Sequence, residues 1–203
     1  EVLDTGLVDD SLRAAFGVAL SESQGLRLRG QRYRADETGF GFVDPAEVAE
    51  IMFKCVRALA FAQRLGLTHR DLKPGNILHV DGTDIKIADF GAAINKVSDR
   101  TVINNVGSPA YMAPELITGA VQASAATDIY ALGVVMYYLL AGRLPFSGGT
   151  TMSVIYQIVN TEPEAPGTHR EGLIADLDEI VLKAIAKDPA VRYASWEEFG
   201  QAL

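Results

Sequence analysis

The sequence feature that most constrains the fold is a segment that is apolar on every side of a helix. From Thr127 to Leu140, apolar residues occupy all faces of a helical projection, which is typical of a helix enclosed by other elements. The longest uncharged apolar stretch, Ile129 to Gly142, is shorter than the roughly 20 residues that a transmembrane helix requires. We therefore expect a buried helix, surrounded by the rest of the chain, and no membrane segment.

A second helix is predicted to begin at Asp44-Pro45-Ala46-Glu47. This string combines a capping side chain, a proline at the first helical position and an acid in the first turn. Apolar residues then recur on one helical face, and Gly66 is placed to end the helix. Cys55 lies on that apolar face, which indicates a small core side chain more than a reactive thiol.

The remaining patterns predict a small hairpin and three more helices. Short β-type runs at 77–80 and 84–87 flank Asp81-Gly82, a dipeptide favoured in tight hairpins. Amphipathic segments lie at about 152–159, 176–186 and 196–203. The predicted fold class is mainly α with one small β-hairpin.

Composition excludes several classes of partner and setting. The 203 residues carry 26 acidic and 18 basic side chains, for a net charge of −8, which argues against nucleic acid as a partner. Arg27, Arg29, Arg32 and Arg34 could form a phosphate or nucleic-acid site, but a solvated or poorly ordered segment fits an acidic chain better. The single cysteine indicates a reducing, cytoplasmic setting. Residue 1 is Glu, and a truncated or processed chain is expected.

Two strings carry the candidate chemistry. They are His69-Arg70-Asp71-Leu72-Lys73-Pro74-Gly75-Asn76 and Asp89-Phe90-Gly91, with the predicted hairpin between them. Lys73 offers a cation, Asn76 and Asp89 offer the oxygen ligands that Mg²⁺ takes, and Asp71 is a carboxylate able to receive a proton. Such a set suits phosphoryl transfer, where catalysis consists mainly of positioning and of neutralising phosphate charge.

With Ala113-Pro114-Glu115 downstream, these strings resemble the signature set of protein kinases of the bacterial serine/threonine class. The resemblance implies that residues 43–203 form the α+β C-terminal lobe and that residues 1–42 are a small-lobe remnant with an atypical hinge region. It also implies transfer of the γ-phosphate of ATP, with Mg²⁺, to Ser or Thr hydroxyls of a protein substrate.

The resemblance assigns the chemical roles residue by residue. Asp71 would orient the substrate hydroxyl and accept its proton, and Lys73 would contact the transferring phosphate. Asn76 and Asp89 would hold Mg²⁺ against the phosphates of ATP. Leu78 would form the apolar floor under the adenine.

Other residues receive structural roles by the same resemblance. His69 and Phe90 would belong to a stacked apolar spine, with Gly91 completing the second string. Glu115 and Arg192 would form a buried ion pair. Asp128 would accept bonds from the catalytic-loop backbone, although a simple helix cap, which Thr127 could also provide, is the alternative.

Regulatory and substrate-seating positions are also implied. Arg70 would pair with a phosphate on the activation loop and so order it. Ser98 and Thr101 are candidate phosphosites, or plain polar loop residues. Ser108 would contact Asp71 and Lys73 where the substrate is seated.

The resemblance weakens in the first part of the chain. Residues 1–53 contain no lysine, so the small-lobe lysine that grips the phosphates is missing. Lys54 is no substitute, because it is placed for a surface pair with Glu50. Residues 13–33 lack the pattern of a normal hinge, and weak or no activity is expected from this chain alone. A non-catalytic kinase-like scaffold is the alternative function, and Leu78 and Phe90 are expected on an exposed surface.

Overall fold

The structure is a computed structural model that describes residues 34–35, 41–81, 84–90 and 109–203. The strands are β1 (Arg34–Ala35), β2 (Gly41–Phe42), β3 (Ile77–Asp81) and β4 (Asp84–Ile87). The helices are α1 (Pro45–Arg64), α2 (Pro114–Ile117), α3 (Ala125–Ala141), α4 (Thr151–Asn160), α5 (Ala175–Ala184) and α6 (Trp196–Ala202). Short 3₁₀ turns cover Pro74–Asn76, Pro109–Tyr111 and Pro166–Thr168. The described part is therefore mainly helical, as expected, with two small antiparallel sheets, one of which is the predicted hairpin.

Helix α1 begins and ends where its sequence signals predict. Asp44 is the N-cap, and its side chain accepts the Ala46 N–H at 2.9 Å. Gly66 adopts a φ of +76°, and its N–H donates to the Gln63 carbonyl at 2.8 Å. A left-handed residue just after the last turn satisfies helix-end carbonyls, and glycine adopts it without steric cost.

Helix α3 is the enclosed helix that the sequence predicts. All of its residues from Thr127 to Ala141 are buried except Tyr138. It packs against α1 and α5, and a Cβ added at Gly133 would lie only 2.7 Å from the Ala184 Cβ. The absence of a side chain at Gly133 thus allows α3 and α5 to approach closely.

The predicted hairpin is present as β3 and β4, with Ile77 opposite Ile87 and an irregularity between His79 and Asp81. Beyond it, the Ala88 N–H donates to the Asn76 carbonyl at 2.9 Å. This bond places Asp89, the next residue, beside the end of the first chemical string. The β1–β2 pair was not anticipated from the sequence.

The burial of Phe90 contradicts one expectation from the sequence, and the burial of Cys55 supports another. Phe90 is 9% exposed because its ring packs on His69, with centroids 4.6 Å apart. The prediction that Phe90 is exposed is therefore wrong. Leu78, which was also expected on an exposed surface, is partly buried. Cys55 is fully buried, and burial raises the pKa of its thiol to about 12, as suits a core side chain.

Some sequence-based predictions fall outside the described residues. They concern Gly91, Ser98, Thr101, Ser108, the segment 13–33 and the side chains of the arginine cluster. Within the part of the chain that is described, no helix combines the length and apolarity needed to cross a bilayer.

Candidate active site

Asp71, Lys73 and Asn76 converge around one carboxylate. The Lys73 Nζ donates to the Asp71 Oδ2 at 2.6 Å, and the Asn76 Nδ2 donates to the same oxygen at 3.2 Å. The Asn76 amide also donates to the Asp71 main-chain carbonyl at 2.7 Å. Among the described residues, the Asp71 Oδ1 has no hydrogen-bond partner. One carboxylate oxygen is thus held by two donors, and the other accepts no hydrogen bond from a described residue.

The 3₁₀ turn Pro74–Asn76 creates this convergence. The Asn76 N–H donates to the Lys73 carbonyl at 3.0 Å, which folds the chain back after the lysine. Asn76 is buried, whereas the Asp71 and Lys73 side chains are 40% and 35% exposed. The buried amide therefore holds a partly solvated pair in position.

Asp128 supports the loop from beneath, at the start of α3. Its carboxylate accepts the His69 N–H at 2.7 Å and the Arg70 N–H at 2.9 Å. Burial raises the pKa of Asp128 to about 6, while these two bonds and the Arg70 charge act in the opposite direction. The capping contact that was the alternative role for Asp128 is made by Thr127 instead. The Thr127 hydroxyl accepts the Ser124 N–H at 2.9 Å.

Two residues of the site adopt a left-handed backbone. Arg70 has a φ of +71° and Asp89 a φ of +63°, a region that costs a non-glycine residue about 1–3 kcal/mol when the surroundings impose it. At Arg70 the paired bonds to Asp128 impose it. Asp89 is exposed, and its carboxylate makes no hydrogen bond or ion pair to another described residue.

His69 connects the loop that bears Asp71 to the segment that contains Asp89. Its Nε2 donates to the Ala88 carbonyl at 2.9 Å, and its Nδ1 accepts the Asp71 N–H at 3.3 Å. The side chain is fully buried, and burial lowers its pKa. Both ring nitrogens are thus occupied by the backbone, so His69 serves as a neutral brace between the loop and the Asp89 segment.

Glu115 and Arg192 anchor the segment that follows the 109–111 turn. The two guanidinium nitrogens donate to the two carboxylate oxygens at 2.7 and 2.8 Å. The Arg192 side chain is fully buried, and its other donors reach the carbonyls of Ala126, Ala186 and Lys187. This pair connects α2, which contains Glu115, to the first turn of α3, where Arg192 donates to the Ala126 carbonyl.

A pocket of about 50 Å³ lies between residues 70–72, the 111–113 segment and α3. That volume suits one or two waters and no larger ligand. The Arg70 Nε is buried with no hydrogen-bond partner among the described residues. The predicted contact of Arg70 with an activation-loop phosphate involves residues outside the described part.

The donor set beside the hairpin fits a hard divalent cation. Asn76 supplies an amide oxygen and Asp89 an exposed carboxylate at the same end of the hairpin. Mg²⁺ is commonly bound by one or two protein oxygens, with waters and substrate phosphates completing its shell. The residues present therefore fit magnesium bound together with a nucleotide.

Two side chains that contact helix ends were not anticipated from the sequence. The Arg170 Nη1 donates to the Val43 carbonyl at 2.7 Å and the Leu140 carbonyl at 3.3 Å, which fixes the start of α1 against the end of α3. Lys187 contacts the end of α4. Both lie in polar loop segments with no local pattern that could have distinguished them.

The chain is similar in sequence to proteins of a known family. Residues 30–201 match the protein kinase domain family. The chain is 38% identical over 201 residues to the serine/threonine-protein kinase PknB of Mycobacterium leprae, covering 97% of this chain and 31% of that protein. It is 35% identical over 215 aligned residues to the probable serine/threonine-protein kinase PknB of Corynebacterium glutamicum, covering all of this chain and 32% of that protein. The serine/threonine-protein kinase PknL of Mycobacterium tuberculosis is 37% identical over 167 residues, 80% of this chain and 41% of that protein.

The chain thus spans well under half the length of these relatives. The match covers most of the chain, and it includes the loop around Asp71, the Asp89 segment and the Glu115–Arg192 pair. The chain therefore belongs to the protein kinase domain family.

Proposed function

We propose that the chain is a serine/threonine protein kinase domain that transfers the γ-phosphate of ATP to hydroxyl groups of a protein. The observation that carries this proposal is the arrangement at Asp71. Its Oδ2 is held by Lys73 and Asn76, while its Oδ1 accepts no hydrogen bond from another described residue. A carboxylate held in this way can orient an incoming hydroxyl and accept its proton.

The remaining residues position the reactants in this proposal. Lys73 lies 2.6 Å from Asp71 and carries positive charge to the place where phosphate charge develops. Asn76 and Asp89 would hold Mg²⁺, which neutralises charge on the phosphate oxygens when it is bound with ATP. Asp128 and His69 keep the loop that bears Asp71 in shape.

The proposed domain division follows the sequence resemblance. We assign residues 43–203 to the C-terminal lobe and residues 1–42 to a small-lobe remnant. Residues 1–53 of this chain contain no lysine, and the loss of one charge-stabilising donor costs on the order of 10²–10³-fold in rate. Phosphoryl transfer by this chain alone is then weak, and the same observation favours a non-catalytic scaffold as the second candidate.

Nucleotide binding distinguishes the kinase from the scaffold. Thermal unfolding is measured with and without Mg-ATP, and a ligand at 100 times its Kd adds about 2.7 kcal/mol of stability. The kinase proposal expects a clear upward shift in Tm that is lost in Asp89→Ala. No shift in the unmodified chain would support the scaffold, and a shift that survives Asp89→Ala would refute the metal assignment.

Phosphotransfer to a generic protein acceptor then tests catalysis. Asp71→Asn removes the proton acceptor while keeping the shape, and a rate loss of about 10²–10⁴-fold is expected. Asp176→Asn changes an exposed carboxylate on α5 and serves as the matched control. Equal rates in the two variants would contradict the assignment of Asp71.

A further inference from the structure

Helix α4 has few buried contacts of its own. Of its ten residues only Ile158 is buried, whereas α5, which has the same length, buries three. An isolated helix of ten residues is marginal in water, so most of its stability comes from contacts with the rest of the protein. The position of α4 therefore depends strongly on the few polar contacts that it makes.

Lys187, in the loop between α5 and α6, holds the C-terminal end of α4. Its Nζ donates to the Ile158 carbonyl at 2.6 Å and to the Gln157 carbonyl at 3.3 Å. The amine also lies 3.9 Å from the centre of the Phe146 ring, in the segment before α4. Carbonyls in the last turn of a helix lack intrahelical donors, and the negative end of the helix dipole favours a cation there. Burial lowers the pKa of this amine to about 8, so it remains mainly protonated at pH 7 and satisfies the end of α4 as an ammonium group.

Arg192 fixes the main chain from which the Lys187 side chain extends. Its Nε donates to the Ala186 carbonyl at 2.7 Å, and its Nη2 donates to the Lys187 carbonyl at 3.1 Å. The same guanidinium makes the paired hydrogen bonds to Glu115 on α2. The main chain at Lys187 is therefore held by the buried Glu115–Arg192 pair, and the Lys187 amine connects this pair to α4.

Helix α4 in turn packs against the 109–111 turn and against α2. Residues 111–113 line the same pocket as residues 70–72, so the turn that α4 contacts lies beside the loop that bears Asp71. Ser108, which directly precedes the turn, is the residue expected to contact Asp71 where the substrate is seated. A displacement of α4 would therefore reach the place where the proposed reaction occurs.

We propose that Lys187 is a positioning residue for the protein substrate, because its amine holds α4 against the 109–111 turn and so fixes the segment that seats the substrate. The effect on the substrate rests on the proposed kinase function, whereas the coupling from Lys187 through α4 to the turn does not. Without the amine, the Ile158 carbonyl loses its donor, and α4 is free to shift relative to the turn.

Hydrogen exchange tests the coupling without using kinase activity. The Met112 N–H donates to the Pro109 carbonyl at 2.9 Å and so reports on the turn. Lys187→Met keeps an unbranched side chain but removes the donor, and we expect the Met112 N–H to exchange about tenfold faster in this variant. Lys187→Arg keeps a cationic donor and should restore most of the protection. Amides in the buried centre of α3 are the internal reference, because they exchange mainly through global unfolding.

Lys183→Met is the matched control. The Lys183 amine also contacts an aromatic ring and an oxygen acceptor, at 4.4 Å from the centre of the Tyr193 ring and 2.6 Å from the Glu198 carboxylate. These contacts do not involve α4, so Met112 exchange should stay unchanged. If Lys187→Met does not fold, Lys187→Gln takes its place under the same criteria. Unchanged Met112 exchange at position 187, or an acceleration matched by the α3 amides or by Lys183→Met, would overturn the proposal.

Steady-state kinetics tests the effect on the substrate, with myelin basic protein as the acceptor. Lys187→Met should raise the KM for the acceptor by about tenfold and leave kcat and the KM for ATP within about twofold. Asn76 and Asp89, which would hold Mg²⁺ with ATP, are not among the contacts of Lys187. An acceptor KM equal to that of the unmodified chain would refute the positioning role. If the unmodified chain transfers no phosphate, the kinase proposal fails, and the exchange result alone decides whether Lys187 holds the turn.

Discussion

Arg192 and Glu115 lie 77 residues apart in the sequence, yet they meet through two parallel hydrogen bonds of 2.7 and 2.8 Å inside the protein. Arg192 also donates to three main-chain carbonyls, which leaves none of its donors unused. A buried ion pair of this kind is costly to break, because the remaining partner keeps its charge without compensation.

Arg192→Met is therefore expected to reduce the free energy of unfolding by about 3–5 kcal/mol. Urea denaturation measures the loss, and Arg57→Met, at an exposed arginine of α1, is the control with little effect. A double variant that also carries Glu115→Leu should recover part of the loss, since it removes the unpaired carboxylate. A loss below 1 kcal/mol in Arg192→Met would contradict the role given to this pair.

Asp128→Asn tests the support of the loop that bears Asp71. The amide keeps one acceptor oxygen, so one of the two N–H groups at His69 and Arg70 loses its partner, at a cost of about 1–3 kcal/mol. Amide exchange at these two positions should accelerate in the variant. Asp188→Asn is the control, because it replaces an exposed carboxylate that caps Ala190. Full protection of both loop amides in Asp128→Asn would disprove this support.

Gly133→Ala tests the close approach of α3 and α5. The added methyl group would lie 2.7 Å from the Ala184 Cβ and 2.8 Å from the Ile185 Cγ2. Overpacking of this kind costs about 1–3 kcal/mol, which exceeds or cancels the gain of up to about 1 kcal/mol from helix propensity. Gly149→Ala, where no atom lies within 4 Å of the new methyl, controls for the substitution. A Gly133→Ala variant that melts above the unmodified chain would contradict this packing.

His69 predicts a specific dependence of stability on pH. Burial lowers the pKa of its imidazole in the folded state, so the unfolded chain binds the proton more readily. The contribution of His69 to stability is complete above its unfolded value of about 6.5 and is lost as the pH falls below it. Urea denaturation between pH 7.5 and 5.5 should give a steeper decline for the unmodified chain than for His69→Gln. Parallel curves would show that His69 does not titrate on unfolding.

Local chemistry made several elements predictable. The cap at Asp44, the left-handed Gly66 and the dipeptide at 81–82 depend on neighbours in sequence, and the structure has α1 and the β3–β4 hairpin accordingly. The enclosed helix followed from its uniform apolarity, since no exposed surface would tolerate it. The grouping of Asp71, Lys73 and Asn76 within one turn is likewise a local arrangement.

What could not be predicted depends on contacts between distant segments. The burial of Phe90 requires His69 beside it, and the contacts of Arg170 and Lys187 are with main-chain carbonyls, which have no sequence signature. The left-handed backbone at Arg70 also has no local cause, because it is held by the hydrogen bond that the Arg70 N–H donates to the distant Asp128 carboxylate. These features follow from packing and not from composition or periodicity.

The contacts at the first turn of α3 have a consequence for the order of folding. Asp128 bonds to a residue 59 positions earlier, and Arg192 donates to Ala126 across 66 positions. Contacts of such separation form slowly, because the intervening chain must first be ordered. During synthesis the loop bearing Asp71 emerges long before Asp128 does. The loop therefore cannot reach its final shape as an early local unit, and a nascent chain that ends before Asp128 has the candidate catalytic residues but not the carboxylate that supports their loop.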